Sequence, residues 1–143
     1  MAKSEKTIAI NAPVEKVFSY IDEPTNLLEI WPSIVKVKDV QRLPNGGTKF
    51  RFVYKLLGMR FEGTSEDIER VANQHVVTKT KGGIQSTQTW TFQPEAGGTK
   101  LTWQMEYTMP IPALGKLAEA LAIKMNEREL ELVLANLKDR MEA

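Results

Sequence analysis

The chain has 143 residues, with 42% hydrophobic and 26% charged residues, a net charge of +1, no cysteine and one histidine. That length suits one domain, and the composition excludes disordered and collagen-like classes. Without cysteine there is no disulfide scaffold, thiolate nucleophile, iron–sulfur cluster or cysteine zinc site, and a single histidine excludes the usual histidine-rich metal centres.

The first segment, Lys3 to Ile10, alternates around Ile8 and Ile10 and predicts a strand. Asn11-Ala12-Pro13 then changes the character of the chain, with Asn11 or Ala12 expected as the cap and Pro13 in the first turn. Val14, Val17, Phe18 and Ile21 recur on one face of a helix that Asp22-Glu23-Pro24 stops. Pro24 opens a second short helix carrying Leu27, Leu28, Ile30 and Trp31, closed before Pro32.

Six strands are expected next. Val35 and Val37 alternate with Lys36 and Lys38, and Pro44-Asn45-Gly46-Gly47 reads as a hairpin turn. Phe50, Phe52, Tyr54 and Leu56 follow, then a break at Leu57-Gly58 and a strand from Met59 to Arg70. His75 to Lys81 precedes Gly82-Gly83, after which Ile84, Ser86, Gln88, Trp90 and Phe92 alternate. A turn at Pro94–Gly98 leads to Leu101, Trp103, Met105, Tyr107 and Met109. Pro110 and Pro112 end the sheet, and a long helix is expected from Ala113 to Met141. Its apolar stripe is read as Leu114, Leu117, Leu121 and Met125, continued by Leu130, Leu134, Leu137 and Met141. Six successive strands with short turns imply an antiparallel sheet, here of six or seven strands, curled around that helix. The expected fold is α+β, as one domain over 1–143.

Few residues carry chemistry. His75 follows a turn and is expected at a rim or in solvent. Glu62, Glu66, Asp67 and Glu69 share one strand with Arg60 and Arg70, which reads as a solvated charged face. Gly46-Gly47, Gly82-Gly83 and Gly97-Gly98 lie between strands, so none makes the strand-to-helix loop that holds phosphate. No metal set, cofactor motif or catalytic grouping can be read, and the charge balance gives no basic excess for nucleic acid. The chain has no apolar run for a signal peptide or for stable membrane insertion, which with the lack of cysteine fits the cytoplasm. The inward strand faces instead offer Phe52, Tyr54, Phe61, Trp90, Trp103, Met105 and Tyr107, with polar Ser86 and Gln88 among them. These residues, with Leu114, Leu117, Leu121 and Met125 of the helix, are the candidate binding set. From the residues alone they read first as a packed core and second as the wall of an apolar pocket.

The run Ile10-Asn11-Ala12-Pro13-Val14-Glu15-Lys16-Val17-Phe18, with Trp31-Pro32 after the helix pair, resembles the opening of the START-like, Bet v 1-like (SRPBCC) superfamily. Within it, the chain is most similar to the polyketide cyclase/dehydrase and lipid-transport group, in element order over its whole length. The resemblance implies a helix-grip fold with a cavity between the sheet and the C-terminal helix, used by relatives for lipids, sterols, quinones, polyketides or hormones. The expectation is binding or carriage of a hydrophobic small molecule. The alternatives are a cyclase/dehydrase-like enzyme and a protein-interaction module with a filled core. In an enzyme, Tyr54 and Tyr107 would be the suspects, since each sits on an inward face. Ligand identity and oligomeric state are not legible.

Overall fold

The computed structural model describes residues 2–82, 84–108 and 115–143. Strand β1 (Ala2–Ile10) leads into helix α1 (Val14–Ile21), a 3-10 turn at Pro24–Asn26 and helix α2 (Leu27–Ile30). Strands β2 (Ile34–Arg42), β3 (Thr48–Leu56), β4 (Met59–Val71), β5 (His75–Lys81), β6 (Gln85–Glu95) and β7 (Gly98–Thr108) follow. Helix α3 runs from Lys116 to Glu142. The expected Ala113 start, with Leu114, lies outside the described residues. Pro13 is the cap residue of α1 and not part of its first turn. Its carbonyl accepts from the N–H groups of Lys16 and Val17.

The strands form one seven-stranded sheet in the order β1-β7-β6-β5-β4-β3-β2, every described pair antiparallel. The fold is the expected curved helix-grip arrangement. β1 and β2 are therefore opposite edges, and the α1–α2 segment carries the chain from one to the other. α1 packs on β6 and β7, α2 packs against β2 and α3, and α3 runs along β1.

The alternation forecast from sequence is realised on β6 and β7. Ser86, Gln88, Trp90 and Phe92 are buried on one, and Thr99, Leu101, Trp103, Met105 and Tyr107 on the other. On β4 the buried face is Gly63, Ser65 and Asp67, while Ile68 is exposed. Gly63 stands opposite Phe52, and a Cβ there would lie 2.6 Å from the Phe52 ring. Only a residue without a side chain leaves that ring its place. The pairing of β4 with β5 shifts register between Asp67 and Glu69, so Arg70 turns back toward the helix side.

Helix α3 is rotated from its expected setting. Its buried side chains are Ala122, Asn126, Leu130, Val133, Leu134, Leu137 and Met141, whereas Leu117, Leu121 and Met125 are exposed. Trp103 and Tyr107 already fill the sheet face below. The first half of the helix therefore approaches with small Ala122 and compact Asn126, and its leucines turn outward.

Candidate functional site

One cavity opens on the buried face of the sheet. The space in it open to the centre of a water molecule is about 80 Å³. Its floor comes from β3 to β7: Thr48, Phe50, Phe52, Tyr54, Ser65, Asp67, Val76, Thr78, Thr80, Ser86, Gln88, Trp90 and Met105. Its roof is Phe18, Ile21, Asp22, Pro24, Leu27 and Trp31, with Ile34 and Ile84 at its margins. No described α3 residue lines it. The expected place between sheet and C-terminal helix is thus corrected: the cavity lies under the α1–α2 segment. α3 fills the part of the sheet it was expected to leave open.

The roof is fastened at α1's end. Asp22 accepts two hydrogen bonds from Arg70, Nε to Oδ1 at 3.1 Å and Nη2 to Oδ2 at 3.0 Å, and one from Arg42 Nη1 at 3.2 Å. The Arg70 guanidinium also lies 5.0 Å above the Phe18 ring, within cation–π range. The pairing is bidentate, which fixes geometry as well as charge.

The floor carries two polar groups. In the first, Trp103 Nε1 donates to Gln88 Oε1 at 3.1 Å, and Gln88 Nε2 donates to Ser86 Oγ at 3.1 Å. The Ser86 and Thr80 hydroxyls are 2.6 Å apart, and Thr80 donates to the Ile84 carbonyl at 2.5 Å. Since Thr80 gives its proton to Ile84, Ser86 donates to Thr80. Ser86 and Gln88 are buried and satisfy one another, so the burial cost of their polar atoms is offset internally.

The second group centres on Asp67, which is buried, where the sequence suggested a solvated face. Its Oδ2 accepts from the Thr48 N–H at 2.8 Å and the Thr48 hydroxyl at 3.2 Å, and its Oδ1 accepts from the Thr78 hydroxyl at 2.8 Å. The β2–β3 turn wraps this carboxylate. Asn45 Nδ2 donates to the Asp67 carbonyl, and Asn45 Oδ1 accepts from Gly47 N–H. A Cβ at Gly47 would fall 2.5 Å from the Asp67 Cβ. Asp67 is the residue that reading the strand as charged and wet passed over. Its signal was register: Phe50 and Phe52 are inward, so their partners Ser65 and Gly63 are too, and Asp67 follows two positions on.

An aromatic wall joins cavity and core. Trp90 stacks on Trp103 at 4.3 Å, and Trp31 meets Trp103 edge-on at 5.1 Å. Tyr54 donates a long 3.4 Å hydrogen bond to Asn126 Oδ1. Nearby, Trp31 Nε1, Tyr107 Oη and Asn126 Nδ2 are buried without a protein partner among the described residues. Burial pushes the Tyr54 and Tyr107 phenols above the ordinary value, and for Tyr54 the carboxylate of Glu129 adds to the effect. Both phenols stay protonated at neutral pH and can donate, not act as bases.

Of the candidate binding residues, Phe52, Tyr54, Ser86, Gln88, Trp90 and Met105 border the cavity. Trp103 and Tyr107 are buried behind its wall, and Phe61 is half-buried against the core. Leu117, Leu121 and Met125 are exposed on α3, and Leu114 lies outside the described residues. His75 faces solvent on β5, 2.7 Å from the Glu69 carboxylate. Among the described residues no acid–histidine cluster suits a metal ion, and no helix is long and apolar enough to cross a membrane.

A curved antiparallel sheet closed by a long terminal helix, with a lined cavity on its inner face, defines a helix-grip protein. The chain belongs to the polyketide cyclase/dehydrase and lipid transport family, whose sequence profile matches residues 1–142. No curated protein matches it in sequence. Among solved structures, an aromatase/cyclase from a Streptomyces species is similar, at TM-score 0.77 and 16% identity over 99% of this chain and 96% of that one. A START superfamily protein from Mycobacterium smegmatis gives TM-score 0.75 and 20% identity, covering 98% and 97%. A Thermus thermophilus protein gives TM-score 0.75 and 23% identity, with the same coverage. At these identities the likeness is one of fold.

Proposed function

We propose that the chain, as one helix-grip domain, binds a hydrophobic small molecule in the cavity beneath α1 and α2, and does not transform it. The observation that carries this reading is the cavity's wall. Phe18, Leu27, Phe50, Phe52 and Trp90 offer apolar and aromatic surface, with a few fixed polar groups between them. That mixture orients a mainly apolar ligand. Binding fits better than base catalysis because Tyr54, the phenol on the wall, is pushed away from ionisation. The test is native mass spectrometry of freshly purified protein, with saturation-transfer NMR using toluene. The expected result is a retained small molecule, or toluene contact that Val76→Phe removes while the fold persists. No retained mass and no toluene contact would refute the reading, as would toluene binding indifferent to Val76→Phe.

The second reading is a cyclase-like enzyme, favoured by the likeness to an aromatase/cyclase and by Tyr54 among the residues that line the cavity. Such an enzyme would hold a reactive chain in a folded shape, which is catalysis by positioning, with Tyr54 donating a hydrogen bond to a carbonyl. Incubation with poly-β-ketone analogues decides it. Acceleration of about a hundredfold over buffer, lost in Tyr54→Phe, would establish this reading in place of the first.

A further inference from the structure

The cavity's charges are one-sided. Among the described residues two carboxylates line it, Asp22 and Asp67, and no lysine, arginine or histidine does. Asp22 is neutralised by Arg70 and Arg42. Asp67 has no cationic partner within ion-pair distance among the described residues, and its three hydrogen-bond donors are all neutral groups. It is 8% exposed. A carboxylate offers about four lone-pair sites, so one on Oδ1, which takes only the Thr78 hydroxyl, is still open. A buried charge held by neutral dipoles alone is stable, yet it gains most from a cation brought to it.

The seat of this carboxylate is built. The Asn45 side chain bridges turn and strand, Gly47 leaves the space, and Thr48 and Thr78 hold the two oxygens from neighbouring strands. The same cavity is lined by Phe50, Phe52 and Trp90, and aromatic faces attract cations as well as apolar groups. The same field opposes an anion, so the free carboxylate of a fatty acid is a poor match for this wall. At about 80 Å³ the space exceeds that of a single water, roughly 10–15 Å³ on the same measure, and suits a compact body.

We propose that this cavity selects a compact apolar molecule carrying a protonated amine, with Asp67 accepting from the ammonium and the aromatic wall enclosing the rest. The proposal rests on the reading of the cavity as a ligand site. Its test uses four probes of similar size at pH 7: benzylamine, benzyl alcohol, toluene and benzoate. Binding to the full chain is followed by quenching of Trp31 and Trp90, which border the cavity. Benzylamine should bind about tenfold or more tighter than toluene, and benzoate weakest, in line with one charge-assisted hydrogen bond. Asp67→Asn keeps the shape but loses the charge and one acceptor oxygen, and should reduce the benzylamine-to-toluene affinity ratio from about tenfold or more to about one. Equal binding of toluene and benzylamine, or tighter binding of benzoate, overturns the amine proposal and leaves the ligand-site reading standing. Failure of all four probes removes that reading and this one together. Should Asp67→Asn not fold, the ranking of the four probes on the unaltered chain decides alone.

Discussion

Consider removal of the guanidinium that fastens the roof, Arg70→Met, together with Asp22→Asn and the double variant. The two side chains are only 19% and 17% exposed, so the pair is neither a surface bridge nor fully dry. Exposed pairs contribute about 0–1 kcal/mol, and breaking fully buried ones costs about 3–5 kcal/mol. Two charge-assisted hydrogen bonds in this intermediate setting should couple by about 1.5–2 kcal/mol. Arg70→Met keeps a flexible stem over Phe18, and Asp22 keeps Arg42, so this single change should cost about 1.5 kcal/mol. Asp22→Asn leaves the Arg70 charge half-buried and should cost about 2 kcal/mol. For a chain of this length that is a fall in Tm of about 5–8 °C. Urea and thermal unfolding of all four proteins give the coupling energy. Stopped-flow mixing with toluene, read by tryptophan quenching, should show faster association in the variants, because the end of α1 is freed from β4. A coupling below about 0.5 kcal/mol with unchanged association would show that Asp22–Arg70 is an incidental contact and that something else holds the roof.

Three further outcomes are expected. All three tyrosines have phenols pushed upward, Tyr20 to about 12 by burial and by the Glu29 carboxylate it donates to. Absorbance at 295 nm should therefore show no phenolate near pH 10, and the stability these protonated phenols contribute is complete below pH 10 and lost as pH climbs through 12 and beyond. A normal titration of even one tyrosine in the folded protein would contradict this. Asn126→Leu removes a buried amide whose Nδ2 is unpartnered but also the acceptor of the long Tyr54 hydrogen bond, so the two effects offset and stability should change by less than about 1 kcal/mol. A large loss by urea unfolding would mean that the amide has a partner the protein does not supply. Ala122→Leu should cost about 1–3 kcal/mol by overpacking, whereas Leu121→Glu should change stability by less than about 0.5 kcal/mol. The reverse order in thermal melts would restore the leucines to the inner face.

The element order was legible because hairpin strands announce themselves by alternation and their turns by glycine. What pattern could not resolve was which of two adjacent stripes on α3 faces inward. Leu121 and Met125 lie one position from Ala122 and Asn126, about a quarter-turn around the helix. Hydrophobicity alone favours the leucines. The rings of Trp103 and Tyr107, brought in by strands far away in sequence, leave room only for the smaller side chains. The location of the cavity followed the same logic, since it lies where α1 and α2 bridge the sheet edges and that bridge is a tertiary fact. Asp67 was hidden differently. Its strand, Met59–Val71, alternates an exposed Ile68 with a buried aspartate, inverting the usual rule. Only the cross-strand partnership of Gly63 with Phe52 gives its parity away.

The edge-to-edge route of α1 and α2 also imposes an order of assembly. Strands β2 to β7 each pair with the strand next in sequence, so they can zip as local hairpins while the chain is being made. β1 cannot: Ala2 pairs with Tyr107 and Ile10 with Thr99, roughly 90–105 positions away, and this loop must close before the contacts repay its entropy. On the ribosome the first strand waits unpaired until β7 has emerged. Lys3, Glu5 and Lys6 in its first half put charge on the strand ahead of Ile8 and Ile10 during that wait. Docking of β1 is thus the late, slow step of folding, and slow synthesis of β7 lengthens the time for which β1 and the bare β6 edge are open to a neighbouring chain.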